Sequence, residues 1–321
     1  MFRGFVFSGR GAKLHKKPGD ALKYLNKSGN VVWIDIEDPS ENEIEFLIEK
    51  FDFHPLSIED SIIQQDHPKL EEFTGYVFLI MYAIQLINGE VRKSQLNIFF
   101  GKNYVITVHD IKVKAVERVI SKTKKGKQKL NFHKGPDYLV HDIIDSVVDE
   151  YFPVIDRIED KLDEFEDTVL EERQAGVIDD IIEQKRNILD LRKLLSLEKP
   201  VINKLERAEV DYIKKSTRVY FRDIYDHISE MSATLENMRD IIPSLLDAFN
   251  SMTAKKTNES IHRLTIVATI AVPLTVITSF YGMNIYLPEA ELGKWSYPLV
   301  WGILIIVAVV TYIILKKNIN K

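Results

Sequence analysis

The 321-residue sequence predicts an α/β domain, then long acidic helices with a stalk helix, then a C-terminal membrane hairpin. Three observations predict this order. Strand-like apolar runs alternate with helical periodicity up to about residue 135. From 136 to 252, apolar positions recur every three or four residues among carboxylates. Finally, two stretches without formal charge, each long enough to cross a bilayer, lie in 253–321.

In the first division the candidate strands are GNVVWIDIE (29–37), TGYVFLIMYAIQLI (74–87), KSQLNIFFG (93–101) and NYVITVHD (103–110). Asp38-Pro39-Ser40 reads as the start of a helix through ENEIEFLIEKF. Asn88-Gly89 and Gly101-Lys102-Asn103 are hairpin-turn signals, so a mixed sheet with helices on its faces is expected.

In the second division DYLVHDIIDSVVDEYFPVIDRIEDKLDEFEDTVLEER reads as a helix, and Gly176 permits a reversal. IDDIIEQKRNILDLRKLLSLEK returns as a second helix, which Pro200 is expected to end. A third helical pattern starts near Val210 and meets no strong stop before Gly282, with Pro243 as a site for a kink. At 1.5 Å per residue, about 70 residues give roughly 100 Å, enough to carry the first membrane span rigidly into the cytosol.

The spans are expected at 264–281 and 297–315, with an external loop at 282–296. Lys255, Lys256 and Arg263 precede the first, and Lys316, Lys317 and Lys321 follow the second. Positive charge inside therefore puts both termini in the cytoplasm. Tyr281, Tyr286, Trp295 and Tyr297 stand where interfacial aromatic residues belong.

The spans are unlike each other. The second has Thr311 as its one aliphatic hydroxyl and suits lipid. The first contains Thr265, Thr269, Thr275, Thr278, Ser279 and a mid-span Pro273. Steps of three and four mark one stripe on it: Asn258, Ile261, Thr265, Ala268, Val272, Thr275 and Ser279. Continued backwards, the stripe meets Ala254, Ser251, Asp247, Ser244 and Asp240. Small and polar residues in a stripe suit either a narrow wet axis or close packing between helices. Two spans per chain cannot enclose a pore, so a wet axis requires a cyclic homo-oligomer with the first span innermost.

Composition narrows the remaining possibilities. There is no cysteine, which excludes disulfides, thiol catalysis and cysteine-built zinc sites. Lys and Arg number 43 against 48 Asp and Glu, and the net charge of −5 leaves no footprint for nucleic acid. The N-terminal residues MFRGFVFSGRGAKLHKK lack the apolar core of a secretory signal. No phosphate-binding glycine loop, nucleophile elbow or HExxH suggests an enzyme. His54, His67 and His227 read as structural.

Tyr281-Gly282-Met283-Asn284, directly after the first of two C-terminal spans, resembles the signature of the CorA family of magnesium and cobalt transporters. FHPLSIED (53–60), HPKLEEF (67–73), VDEYF (148–152), YFRDIYDH (220–227) and KTNESIHRLTIVATIAVPLT (256–275) agree in order along the whole chain. The resemblance implies a funnel-shaped homopentamer in the cell membrane that takes up Mg²⁺, with Co²⁺ and in some members Ni²⁺ as further cargo.

The resemblance also implies site residues. Gly282, Met283 and Asn284 would form the selectivity mouth, where a ring of Asn284 amide oxygens could hold the hydrated ion through its waters. Mg²⁺ gives up that shell reluctantly. Gly282 would allow a sharp turn, and Met283 would pack against a neighbouring subunit. Asn258, Ile261, Leu264, Ala268, Val272, Thr275 and Ser279 would line the pore, with Leu264 one position off the stripe and Asp247 a further pore or metal candidate. Glu59 and Asp60 of one subunit would face Asp223 of the next, with Asp145 and Asp149 nearby, so that Mg²⁺ bridging them closes the channel. Glu289 and Glu291 would concentrate cations outside, or are simply solvated loop charges. Asn284 alone could equally cap a helix, and Asp60 and Asp223 could make ordinary local pairs. Two alternatives remain at this stage: a Zn²⁺-exporting relative, against which Met283 speaks, and a non-conducting, membrane-anchored coiled-coil sensor.

Overall fold

The computed structural model describes residues 1–9, 11–15, 18–25, 27–125, 131–170, 176–283 and 293–319. The chain divides into two compact units, Met1–Leu246 and Asp247–Lys321.

The first unit is built on a seven-stranded sheet in the order β2-β1-β3-β7-β6-β5-β4. The strands are β1 (Phe2–Ser8), β2 (Gly11–His15), β3 (Val31–Glu37), β4 (Lys69–Phe73), β5 (Tyr76–Ile87), β6 (Glu90–Gly101) and β7 (Tyr104–His109). The one parallel pair is β3 with β7; every other neighbour pair is antiparallel. The sequence predicts β3, β5, β6 and β7. The short strands β1, β2 and β4 fall outside that expectation.

Strands β5 and β6 form a twelve-residue hairpin whose register ends at Ile87 opposite Glu90. Asn88 and Gly89 both have positive φ, 52° and 90°, as a two-residue turn with the twist of its strands demands. Nine consecutive residues of β5, Tyr76–Ile84, are buried, so both faces of this strand are covered. The edge strand β2 is largely exposed.

The helices preceding the long segments are α1 (Pro18–Leu22), α2 (Glu41–Phe51), α3 (Pro55–Ile62) and α4 (Lys114–Lys125). Ser40 caps α2 in a capping box with Glu43, as the Asp-Pro-Ser punctuation predicts. Phe53, in the α2–α3 link, stacks on Phe99 at 4.5 Å and touches Tyr76 at 4.6 Å, fixing the start of α3 to the sheet.

Beyond residue 135 the helices differ from expectation in three places. The first acidic helix is two: α5 (Pro136–Val148) and α6 (Phe152–Leu170). Glu150 and Tyr151 donate to carbonyls three residues back. Pro153 has no N–H to continue the ladder, and Tyr151 is fully buried at the break. The return helix α7 (Val177–Glu206) runs through Pro200 rather than ending there. Ser196, whose carbonyl loses its donor, and Pro200 are both exposed, while Val201, Ile202 and Leu205 beyond them are buried. Water can satisfy the freed carbonyl while packing holds the helix. The long helix α8 (Arg218–Tyr281) begins eight residues later than Val210, after a link in which Ala208 and Tyr212 have positive φ. It then continues for 64 residues through Pro243 and Pro273. The second unit contains the end of α8 and α9 (Ser296–Ile319).

Two polar networks lie inside the first unit. Asp35 accepts from Arg3 Nε at 2.8 Å, Thr107 Oγ1 at 2.6 Å and His109 Nε2 at 3.2 Å. His109 Nδ1 lies 2.7 Å from the Ile111 carbonyl, which only accepts, so both ring nitrogens carry protons. The second network centres on Glu198, fully buried on α7. Its Oε1 accepts from the Tyr151 hydroxyl at 2.9 Å and the Tyr82 amide at 3.4 Å. Burial pushes this carboxyl up to about 8 despite those donors.

An acid whose folded pKa is raised favours the fold at low pH. That contribution is lost as pH climbs from the unfolded value of 4.5 to about 8. Glu198→Gln keeps the acceptor oxygen without the charge. Thermal midpoints from about pH 5 to about 8.5 are expected to fall more steeply for the wild type than for this variant. Parallel pH courses would refute the assignment.

Candidate functional site: a polar helix stripe and a carboxylate–histidine cluster

The stripe predicted on the first span is present as one face of α8. Asn258, Ile261, Leu264, Thr265, Ala268, Val272, Thr275 and Ser279 are all exposed, Leu264 at 70% and Val272 at 62%. The partly covered residues of this segment are Ile266, Ile270, Pro273, Leu274, Ile277 and Tyr281. At 100° per residue they fall on the opposite side of the helix. The second unit thus shades the apolar back of α8 and leaves the stripe open. On α9 the shaded residues Val300, Ile303, Leu304, Val307, Ala308, Thr311 and Leu315 also gather on one side, with Gly302 the exception.

The stripe's hydroxyls have a defined polarity. Thr265 Oγ1 donates to the Ile261 carbonyl at 2.8 Å and Thr275 Oγ1 to the Ala271 carbonyl at 2.9 Å. With its proton engaged on the backbone, each oxygen offers only lone pairs outward. Such oxygens can accept from the water shell of a cation without adding charge. Both α8 and the segment 293–315 are long and apolar enough to cross a membrane.

At the end of α8 the Gly282 amide donates to the Thr278 carbonyl at 3.0 Å, and Met283 is exposed. Gly282 is not among the positive-φ glycines, so the helix ends there without a left-handed residue. A Cβ on it would come 3.3 Å from the Thr278 carbonyl oxygen. Asn284, Glu289 and Glu291 lie outside the described residues. Asp247 is exposed on α8, where the second unit begins.

In the first unit, Asp145 and Asp149 stand one turn apart at the end of α5, and His227 reaches them from α8. One donor atom from each lies within 4.8 Å of the others. The helices meet through neighbouring contacts, with His141 against Tyr220 and Phe221 at 5.3 and 5.6 Å. Burial, then the like charges of Asp149 and Asp142, push the Asp145 carboxyl up to about 6. Among the described residues no hydrogen bond or salt bridge holds the Asp145 carboxyl, and His227 Nδ1 is buried without a partner. Asp149 has only a 3.7 Å pairing with Arg118. Two carboxylates and an imidazole with unmet bonding capacity can hold a divalent cation, and the imidazole favours first-row transition ions over Mg²⁺.

The remaining predicted residues are placed elsewhere in the chain. Asp223, exposed, precedes His227 by one turn on α8. Glu59 is exposed on α3, at the rim of an apolar groove of about 350 Å³ formed by Ile48, Phe53, Pro55, Ile58, Ile62 and Ile63. Asp60 is paired with Lys69 Nζ at 2.6 Å. None of these three joins the Asp145–Asp149–His227 group. His227 is the ligand candidate that sequence reading leaves out. The i, i+4 pairs Asp145/Asp149 and Asp223/His227 were its available signal.

The sequence model described as CorA-like Mg²⁺ transporter protein matches residues 28–317. The cobalt/magnesium transport protein CorA of Thermotoga maritima is 34% identical over 295 residues, 91% of this chain and 84% of that protein. The protein of the same name from Methanocaldococcus jannaschii is 28% identical over 90% of each chain. The complete structure of the latter organism's CorA magnesium transporter superposes with a TM-score of 0.83 at 23% identity, covering 98% of this chain and 96% of that one. The cytoplasmic domain of ZntB from Vibrio parahaemolyticus shares the fold at a TM-score of 0.65 and 14% identity, over 79% of this chain and 98% of that one.

The cluster gives a direct expectation. Co²⁺ should raise the melting temperature at neutral pH, and the effect should fade as pH falls through about 6, where Asp145 takes up a proton. His227→Ala should weaken the Co²⁺ response by about tenfold and the Mg²⁺ response far less. Equal loss of both responses, or of neither, would exclude His227 as a ligand.

Proposed function

Since the chain belongs to the CorA family, we propose that it carries Mg²⁺, and Co²⁺ as a second cargo, across the cell membrane through a pore lined by α8 in a homopentamer. Both termini lie in the cytoplasm in this reading. The observation that carries it is the open stripe on α8. A polar face that the chain's own second unit leaves uncovered must meet either water or other copies. A cyclic assembly supplies both.

Mg²⁺ retains its inner waters, so the pore presents groups that hydrogen-bond to those waters. Asn284 amide oxygens form the outer ring, next to Gly282 and Met283. Ser279, Thr275 and Asn258 offer neutral oxygens further in, while Ile261, Leu264, Ala268 and Val272 form narrow apolar rings that dewet when the pore is shut. Asp247 and the external Glu289 and Glu291 draw cations towards the two ends.

Closure follows from carboxylates that repel one another when empty. Glu59 and Asp60 of one subunit meet Asp223 of the next, beside Asp145 and Asp149. Mg²⁺ bound among them stabilises the closed assembly and its loss releases it, a population shift driven by tighter binding to one state. The single-chain pairing of Asp60 with Lys69 at 2.6 Å has a place in this cycle, because the cation competes with Lys69 for the carboxylate. The unpartnered Asp145 supports a role for bound cation on the neighbouring helix face. The likeness to ZntB is one of fold and does not favour zinc export.

Two measurements test this reading. Mg²⁺ uptake by liposomes containing the protein should drop at least about tenfold with Asn284→Ala, and unchanged uptake would remove Asn284 from the mouth. Asp60→Ala combined with Asp223→Ala should raise the internal Mg²⁺ needed to shut the current by about tenfold. Wild-type inhibition in that double variant would refute closure through these carboxylates.

A further inference from the structure

An open pocket of about 450 Å³ in the first unit is lined by Lys27, Lys102, Lys134, Lys214 and His133, with Asn30 and Asn103 between them. These residues come from four separate segments: the link before β3, the β6–β7 turn, the segment before α5, and the link before α8. Among the described residues no carboxylate lines the pocket, although the chain as a whole carries a net charge of −5.

The lysines differ in how they are held. Lys214 Nζ hydrogen-bonds the Lys134 carbonyl and lies 3.8 Å from Asp137 Oδ1 behind the wall. Lys27 Nζ sits 4.7 Å over the Tyr24 ring. The ammonium groups of Lys102 and Lys134 are exposed and have no ion-pair partner among the described residues. Asp137 offsets the charge of Lys214, and gathering the other three like charges round one cavity costs free energy unless a further anion offsets it. Gly135, also on the wall, leaves no room for a side chain, since a Cβ there would collide with Asp137 Oδ1 and Lys214 Nζ. The buried Asp137 carboxylate already occupies the start of α5, so the attraction comes from the lysines and not from the helix dipole.

We propose that this pocket binds a soluble polyphosphate, the phosphate-bearing part of a nucleotide or an inorganic chain of two or three phosphates. Lys27, Lys102 and Lys134, with Lys214 beside them, supply the positive charge such a group needs, and lysine binds phosphate as a point charge without a fixed fork geometry. The volume lies in the range of small-molecule sites and exceeds what one phosphate fills. Among the described residues Leu25 and Val31 are the only large apolar side chains on the wall, too little to accept an acyl chain, which sets a free anion above a lipid headgroup.

The test is isothermal titration of full-length protein in detergent, dialysed free of divalent cations, with sodium orthophosphate, pyrophosphate and triphosphate. Saturable binding near one per chain is expected, stronger for triphosphate than for orthophosphate. Lys102→Ala with Lys134→Ala should weaken it at least about tenfold, and the double arginine variant should retain it. Asn103→Asp places a carboxylate in the wall without removing a lysine and should weaken binding similarly. Lys193→Ala with Lys199→Ala, elsewhere on the surface, should leave it intact. Absence of saturable binding at millimolar ligand, equal loss in that distant pair, or tighter binding of dioctanoyl phosphatidic acid would overturn the proposal.

Discussion

The constraint on which the account rests is that a polar helix face inside a membrane must be given a partner. The second unit covers the Ile266, Ile270 and Ile277 side of α8 and leaves Asn258, Ala268, Thr275 and Ser279 open. Hydrocarbon offers nothing to the hydroxyl lone pairs of Thr265 and Thr275, whose protons are already spent on the helix backbone. In the proposed assembly, copies of the same face enclose water, and a cation that keeps its own water shell can pass along them. Selection then works through neutral oxygens and spacing, because fixed charge along the path would hold a divalent ion too long.

Two clusters of charge in the first unit differ in whether their bonding capacity is met. Around Asp35 every capacity is used. Arg3, Thr107 and His109 all donate to the carboxylate, and His109 also donates to a backbone carbonyl. Burial alone would lower the His109 pKa, but the Asp35 carboxylate outweighs it and raises it. That network is closed and binds the N-terminal strands β1 and β3 to β7. Around Asp145 the situation is the reverse. Burial and neighbouring carboxylates oppose its charge, and His227 of the same cluster has its Nδ1 unpaired. A site whose electrostatics are unfavourable when empty responds strongly to a cation, and that is the behaviour a ligand-controlled switch requires.

Much of this was legible in the sequence where the signal is local. Hydropathy set the two apolar helices, the step of three and four set the stripe, and Asn88-Gly89 set the long hairpin. The misses are non-local. Pro200 sits in a helix because its freed carbonyl faces solvent while Val201 and Ile202 are buried by packing, which no windowed pattern reveals. The α5–α6 break depends on Tyr151 being drawn into the core beside Glu198. His227 reads as an ordinary helical histidine until α5 is placed against α8. The lysine pocket joins residues 27, 102, 134 and 214, which nothing in the linear order brings together. Asn284 remains a reading of the Gly-Met-Asn triplet.

The native absence of cysteine makes the central claim directly measurable. Single cysteines at Ala268 and Thr275 on the stripe, and at Ile270 and Ile277 on the opposite side, can be probed in membranes with a water-soluble thiol reagent under open conditions. The account predicts rapid modification and block of Mg²⁺ flux at the first two positions, with little reaction at the others. Uniform protection of the stripe, or faster reaction on the isoleucine side, would contradict a water-filled path along that face of α8.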